Sequence, residues 1–304
     1  PKPAPTAPRP RTTTTTAPAP PPPPQPHPTE ARVTAVLTAL RSLERGISHW
    51  EVRAFATHYQ LKLYSDFTFY LNDTLNGDGI AQFDDRVFAG LRASYAHTNR
   101  LFGRSGSWDV GTGGRSDWSN RQLDHQRART ILGRRVDDRI AQASFYGWAR
   151  QSLDLSSRLR VELGLRGDVY RFGVRDRLAG GDTTWPHASG ARWRVIVNPK
   201  LNVAFEAAPG TTLFLNAAGG FHSNDARDAI LAGANDRVLP RARGRELGAR
   251  HSWSGGSVSA AAWLLDLESE LIYVGDEGTT AASGRTRRIG LDLEILRMPH
   301  RGKA

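Results

Sequence analysis

Three carboxylates at alternate positions, Asp266, Glu268 and Glu270, come nearest in this chain to an acid and base pair, because such groups must share one face. The same spacing arises wherever one face of a strand is wet, and on that reading the three are expected to line a polar lumen. The nine histidines are scattered. His58 and His97 fall in strand-like stretches, where a hydrogen-bonded structural histidine is expected and not a metal ligand, since a metal site needs its ligands clustered. Residues 73–78 (DTLNGD) offer oxygens and a glycine but lack the alternating ligand spacing of a calcium loop, so a plain Asn-Gly turn is expected. Gly111, Gly113 and Gly114 approach a dinucleotide-binding loop, but the third glycine of that pattern is replaced by Ser116. The chain has no HExxH, no Walker loop and no GxSxG. No catalytic residue, metal ligand or cofactor is assigned, and the chain is not expected to be an enzyme.

The elements that would position any such group are set by composition and period. A formal charge of +11 raises nucleic acid as a partner, but the arginines are scattered between apolar residues and lysine occurs only at 2, 62, 200 and 303. No basic helix or compact basic cluster forms, so nucleic acid is not expected. Cysteine is absent, which excludes disulfides and thiolate metal sites. The first residues show no basic segment followed by an apolar one, and no run of about 18 apolar residues occurs anywhere. If the chain meets a membrane, it does so with strands.

Residues 1–28 are nearly all Pro, Ala and Thr, which predicts an extended, solvated spacer of polyproline-II character. Val33, Val36, Leu37, Leu40 and Leu43 then recur at helical spacing, predicting a short helix within 29–45. From Trp50 the period becomes two. Leu159, Val161, Leu163, Leu165 and Val169 alternate with Arg158, Arg160, Glu162, Arg166 and Asp168, which places opposite chemistry on opposite faces of one strand. The pattern recurs around Val87, Leu91 and Tyr95, around Trp193, Val195, Val197 and Leu201, around Leu213 and Leu215, and around Ile289, Leu291 and Leu293. About ten strands fit it, near or above the nine to eleven residues that a tilted membrane strand requires.

Short turns at 99–104, 156–157, 208–210 and 254–256 alternate with long polar stretches at 72–82, 119–138, 176–191, 223–241 and 275–284. Outer-membrane barrels sort their connections in this way, with tight turns on one side and long loops on the other. Trp50, Tyr70, Tyr146, Trp148, Tyr170, Phe172, Trp193, Trp253 and Tyr273 lie near strand ends and suit interfacial girdles.

Particular segments carry a family resemblance. Residues 54–78 (AFATHYQLKLYSDFTFYLNDTLNGD), 139–176, 198–227 (NPKLNVAFEAAPGTTLFLNAAGGFHSNDAR), 240–248 (PRARGRELG) and 264–294, ending GRTRRIGLDLE, resemble the β-barrel of TonB-dependent receptors in this order. The resemblance implies a barrel of about 22 strands with a plug domain in its lumen. It also implies uptake of a scarce ligand, such as a ferric siderophore, cobalamin, haem or a glycan, driven through a TonB-type energy transducer. No plug-like domain precedes Trp50, no TonB-box segment is recognisable in the Pro-rich stretch, and roughly half the strands are present, so a fragment of a receptor is expected.

The expected fold is all-β: an antiparallel meander forming part of a transmembrane barrel over 50–304, after a disordered leader with a possible short helix over 1–49. The expected location is the outer membrane, with membrane lipid, a small-molecule ligand and the energy transducer as partners. Phe221, His222, Asn224, Asp225 and Arg227, at a strand end on the long-loop side, are expected on the ligand side. Two alternatives remain open at this point: a soluble β-sandwich binding module and a small self-closing ten-stranded pore.

Overall fold

The computed structural model describes residues 30–45, 47–66, 68–178, 187–223, 225–231, 238–274, 279–282 and 284–297. One antiparallel sheet of eleven strands dominates, in order of sequence: β1 (Glu30–Arg45), β2 (Ser48–Ser65), β3 (Ile80–Leu101), β4 (Arg104–Arg127), β5 (Thr130–Asp154), β6 (Leu159–Asp176), β7 (Gly190–Ala208), β8 (Thr211–Phe221), β9 (Arg241–Trp253), β10 (Gly256–Leu267) and β13 (Thr286–Arg297). The loop before β13 holds a small hairpin, β11 (Leu271–Val274) with β12 (Thr279–Ala282), and the loop after β8 holds α1 (Ala226–Leu231). No second sheet packs on this one among the described residues, so the β-sandwich alternative is overturned.

Register shows how the alternating sequence becomes two faces. Leu163 pairs with Leu201, Leu165 with Pro199 and Val161 with Val203, while Leu215 pairs with Val203 on one side and Leu247 on the other. Cross-strand partners share a face, so apolar residues accumulate on one side of the sheet. That side leaves Leu163, Leu165, Val195, Leu247 and Leu291 exposed, as a lipid-facing surface does. Aromatic rows bound the belt. Trp50 packs against Tyr95 in a tilted contact with centroids 4.1 Å apart and Tyr95 meets Trp108 edge-on at 5.0 Å, near the short turns; Trp118 and Trp193 lie at the other border. Ten residues separate Trp108 from Trp118, about 33 Å along a strand and about 25 Å of height once tilted, which matches the apolar band of a membrane barrel.

Five expectations need correction. Residues 30–45 form β1 and not a helix. Their apolar residues fall at both odd and even positions, which hides the two-residue period, and β1 pairs with β2 from Glu30↔Lys62 to Arg45↔Ser48 with a bulge between Val33 and Ala35. The sheet therefore reaches into the segment expected to be a leader. The polar stretch 119–138 is the far end of β4 and β5, joined by Ala128 and Arg129 with φ of 49° and 70°, a two-residue turn of the hairpin-favouring type. These strands run on beyond the belt, where polar residues suit either face. Tyr146, Trp148, Tyr170 and Phe172 share the parity of Arg150 and Arg166 and so lie on the inner face, outside the girdles. Tyr70 sits in the loop after β2. Asp266 pairs with Arg243 and Arg287 on the outer face, because the two-residue turn at 254–255 puts the outward positions of β10 at even numbers. Finally, a ten-stranded pore would close β13 onto β2, but that edge of β2 is taken by β1. β1 and β13 run in the same direction, so joining them would give one parallel pair in an antiparallel sheet.

Leu165→Arg, in mid-belt, is expected to cost the membrane-embedded protein about 2–4 kcal/mol. Urea unfolding in lipid vesicles checks this, and unchanged stability would contradict the outward placement.

Candidate functional site

The inner face is built from a repeated unit. On three strands an arginine and an aspartate stand two residues apart and bind each other: Asp84 and Arg86 on β3 (3.1 Å), Arg115 and Asp117 on β4 (2.7 and 2.8 Å), and Arg166 and Asp168 on β6 (2.7 Å). Aromatic rings lie under the guanidinium groups. Arg115 sits over Phe88 at 4.4 Å, Arg166 over Tyr146 at 4.1 Å and Arg92 over Trp148 at 4.7 Å. The rings lie flat because their neighbours lack side chains. A Cβ on Gly111 would fall 2.1 Å from the Trp148 ring, and one on Gly113 would fall 2.6 Å from the Tyr146 hydroxyl. The glycines that resemble a nucleotide loop in the sequence thus make room for aromatic rings on the wall. Trp148 is fixed further by donating Nε1–H to Asp109 at 2.7 Å.

Several grooves open on this face among the described residues, two of which reach Ser223 at the long-loop end of β8. The larger, about 600 Å³, is lined by Arg92, Asp109, Trp148, Arg166, Tyr170 and Lys200 among others. The second, about 470 Å³, is lined by Arg86, Arg115, Asp117 and Asp225, and the two share Tyr170 and Ser223. Such a surface offers guanidinium groups for anionic or carbonyl oxygens and ring faces for stacking.

The loop after β8 folds against the inner face. Ala226 and Ala229 of α1 pack with Phe172, Val174, Ile140 and Ile196 from the wall and with Val238 and Leu239 from the returning chain. Phe221 meets Tyr170 edge-on at 5.7 Å beside this cluster. Asp225 takes Arg121 Nη1 at 2.6 Å and accepts the Arg227 amide at 2.8 Å, which starts α1. Arg227 is buried, with Nε 2.7 Å from the Asp138 carboxylate, itself 2% exposed in its side chain. His222 is half-buried and donates its amide to Pro240 at 3.3 Å. Of the residues named from sequence, Phe221, His222, Asp225 and Arg227 therefore cluster at the inner, long-loop end of β8, and Asn224 lies outside the described residues. Sequence reasoning missed Arg92, Asp109, Trp148 and Tyr170, although the parity that assigns Arg150 and Arg166 inward assigns these rings inward too.

The other chemistry-bearing candidates are accounted for by local partners. His58 Nε2 lies 2.7 Å from Asp85, and His97 Nδ1 lies 2.9 Å from the Ser48 hydroxyl. Asp266 binds Arg287 at 2.6 Å, and Glu268 accepts the Arg241 amide at 3.0 Å. In the loop 66–79, Asp78 accepts the Asp73 amide (2.7 Å), the Asn72 amide (2.9 Å) and the Thr68 hydroxyl (2.7 Å), and Gly77 takes φ 83°. Burial pushes the Asp78 carboxyl up, but these donors outweigh it and hold it below the usual carboxylate range. These oxygens tie the loop to itself.

A family model described as TonB dependent receptor-like, beta-barrel, matches residues 5–300. A search of curated proteins finds no match. Among solved structures, the unliganded ferric citrate transporter FecA aligns at a TM-score of 0.69 with 14% identity, over 88% of this chain and 39% of that one. BauA, the ferric preacinetobactin receptor from Acinetobacter baumannii, aligns at 0.65 with 10% identity, over 90% and 43%. The copper transporter OprC aligns at 0.62 with 14% identity, over 90% and 44%. At these identities the likeness shows the fold alone, and the chain spans less than half the length of each.

Arg227→Ala leaves the Asp138 carboxylate buried without its counter-ion and is expected to cost the packed loop about 3 kcal/mol. Limited proteolysis should then cut within 222–240 faster while the sheet stays intact; an unchanged rate would contradict the anchoring. A carboxyl depressed in the folded state stabilises fully above its unfolded value, about 3.9, and loses that contribution as pH falls through the lower folded value. The loop 66–79 is therefore expected to stay locked at neutral pH and to open in acid. Hydrogen exchange at Asn72 and Asp73 checks this, and Asp78→Asn should open the loop at neutral pH.

Proposed function

The chain belongs to the TonB-dependent receptor-like β-barrel family, and from that premise we propose that it forms part of the wall of an outer-membrane importer for a scarce ligand. One observation carries this reading: the same strands present an apolar belt between aromatic rows outside and a charged, aromatic groove inside. A wall of this kind separates lipid from a wet lumen. The groove takes a polar ligand arriving between the long loops, with Phe221, His222, Asn224, Asp225 and Arg227 on the side it meets first. Arg92, backed by Trp148, gives that ligand a cationic contact. Ligand classes that suit the reading are a ferric siderophore, cobalamin, haem or a glycan. No step of bond-making is assigned to the chain, and its role is transport without catalysis.

Two partners follow. Among the described residues no strand pairs with the outer edge of β1 or of β13, and further strands complete them, because an open edge in hydrocarbon leaves backbone groups unsatisfied. A TonB-type transducer supplies the energy for release of the ligand inward. The proline-rich stretch 1–28, expected from the sequence to be a spacer, lies outside the described residues.

Uptake of a labelled ferric siderophore, cobalamin, haem and an oligosaccharide, measured separately in cells with and without the protein, tests the proposal. Loss of one of the four on deletion, and its collapse with an uncoupler, is expected. Equal uptake of all four in both strains would overturn it.

A further inference from the structure

The ladder between β7 and β8 stops short of the ends of both strands. Its last pair is Lys200↔Ala218, yet β7 continues to Gly190 and β8 to Phe221, paired there only with β6 and with β9. Pro199 lacks the N–H that the next pair would need. On the edge of β7 left open in this way, arginine side chains take the place of a strand: Arg241 donates to the Val197 carbonyl at 3.1 Å, and Arg194 to the Trp193 carbonyl at 2.7 Å. Arg241 stands on β9 opposite Phe221, so it reaches across the end of β8 and ties the two sides of the break. Counted from the short turns, Trp108 and Trp118 lie four and fourteen residues along β4 from Arg104, and Pro199 and Val195 lie nine and thirteen residues along β7 from Ala208. The break therefore opens within the upper half of the apolar belt. Ala217, Ala218, Gly219 and Gly220 border it with little or no side chain, and a Cβ on Gly219 would stand 3.3 Å from the Pro199 ring, so the sides touch there without a ladder pair.

We propose that this break is a side portal, through which the hydrocarbon chain of an acylated, anionic ligand passes from the lumen groove into the bilayer. The inference rests on the import reading and narrows its ligand to an amphiphile. Both ends of the passage are in place. Inside, Asn198, Pro199 and Gly219 border the groove that also holds Arg92 and Arg166, whose guanidinium groups suit an anionic head. The Asn198 side chain is buried, and its Oδ1 has no hydrogen-bond partner among the described residues, so a donor on the ligand's head would satisfy it. Outside, Trp193, Val195 and Val197 stand exposed beside the break and offer the chain an apolar track. A wholly polar ligand gains nothing from a break in the belt, whereas each methylene that leaves water through it is worth roughly a fourfold gain in affinity. Arg241 is the latch, since its hydrogen bond to Val197 has to part before a chain can pass.

Outer-membrane vesicles holding the full chain would be irradiated with dodecanoate bearing a diazirine at its far end, or with the butanoate counterpart, and the labelled peptides read by mass spectrometry. The dodecanoate probe should label 193–197 at least about fivefold more than 289–293, a stretch that faces lipid equally but lies far from the break, because only the break brings a chain anchored in the groove to that surface. The butanoate probe should show no such excess. Arg92→Gln should lower the excess by weakening the hold on the head. Pro199→Cys with Gly219→Cys, oxidised to a disulfide, should abolish it and reduction should restore it, which also shows that the variant is folded. Arg241→Gln, which removes the latch, should raise it. Equal labelling of 193–197 and 289–293 by the wild type, or an excess that neither the disulfide nor Arg92→Gln alters, overturns the portal. Uptake of none of the four ligand classes would overturn the import reading and this inference with it, whereas uptake of one of them without an excess at 193–197 overturns this inference alone.

Discussion

Every backbone N–H and C=O inside a bilayer needs a partner within the protein, because hydrocarbon supplies none. The architecture of this chain follows from that constraint. Its strands pair antiparallel with each neighbour in unbroken meander order, so the ladder satisfies the backbone and frees side chains to answer to the two solvents. Where the ladder falters, another group steps in. Pro199 has no N–H, and pairing of β7 with β8 ends at Lys200↔Ala218; just beyond, Arg241 donates to the Val197 carbonyl at 3.1 Å. The same constraint makes the outer edges of β1 and β13 the most consequential feature of the sheet, since among the described residues no strand pairs with either.

The inner face solves a different problem. A wet wall rich in arginine would repel itself, and here Arg115 and Arg166 are each neutralised by a carboxylate and seated on a ring, as in Asp168–Arg166–Tyr146. The rings in turn need glycine opposite them, at 111 and 113, so the Arg, aromatic and Gly positions are mutually dependent. Rigid aromatic surface and pre-oriented charge give a wall with little left to reorganise. Over it the segment after β8 is seated by apolar packing and by the Arg227–Asp138 and Arg121–Asp225 pairs, which leaves Ser223 and Tyr170 bordering both grooves.

The two-faced meander was legible in the sequence because parity is a local property: Leu163 and Leu165 against Glu162 and Arg166 is enough to assign sides. The failures share a cause, which is that parity is carried or reset by features only the paired sheet reveals. β1 is a strand because β2 offers an edge, although its apolar residues fit a helical spacing. Asp266 points outward because a two-residue turn fixes the register of β10. Trp148 and Tyr170 were assigned to girdles by residue type, when their even positions placed them with the inward arginines. The loop carrying Phe221 to Arg227 was legible as a strand end, but its fold into the lumen depends on contacts with β5 and β6, tens of residues away.

The central claim is that one face of this sheet meets lipid while the other meets water. The chain contains no cysteine, so single cysteines can be placed one at a time along Leu159–Asp176 in the outer-membrane protein without background. Labelling with a water-soluble maleimide and with a lipid-phase quencher should then alternate with a period of two: quenching at 161, 163, 165 and 169, and aqueous labelling at 160, 162, 164 and 166. Aqueous labelling of both sets, or the absence of any two-residue period, would contradict it.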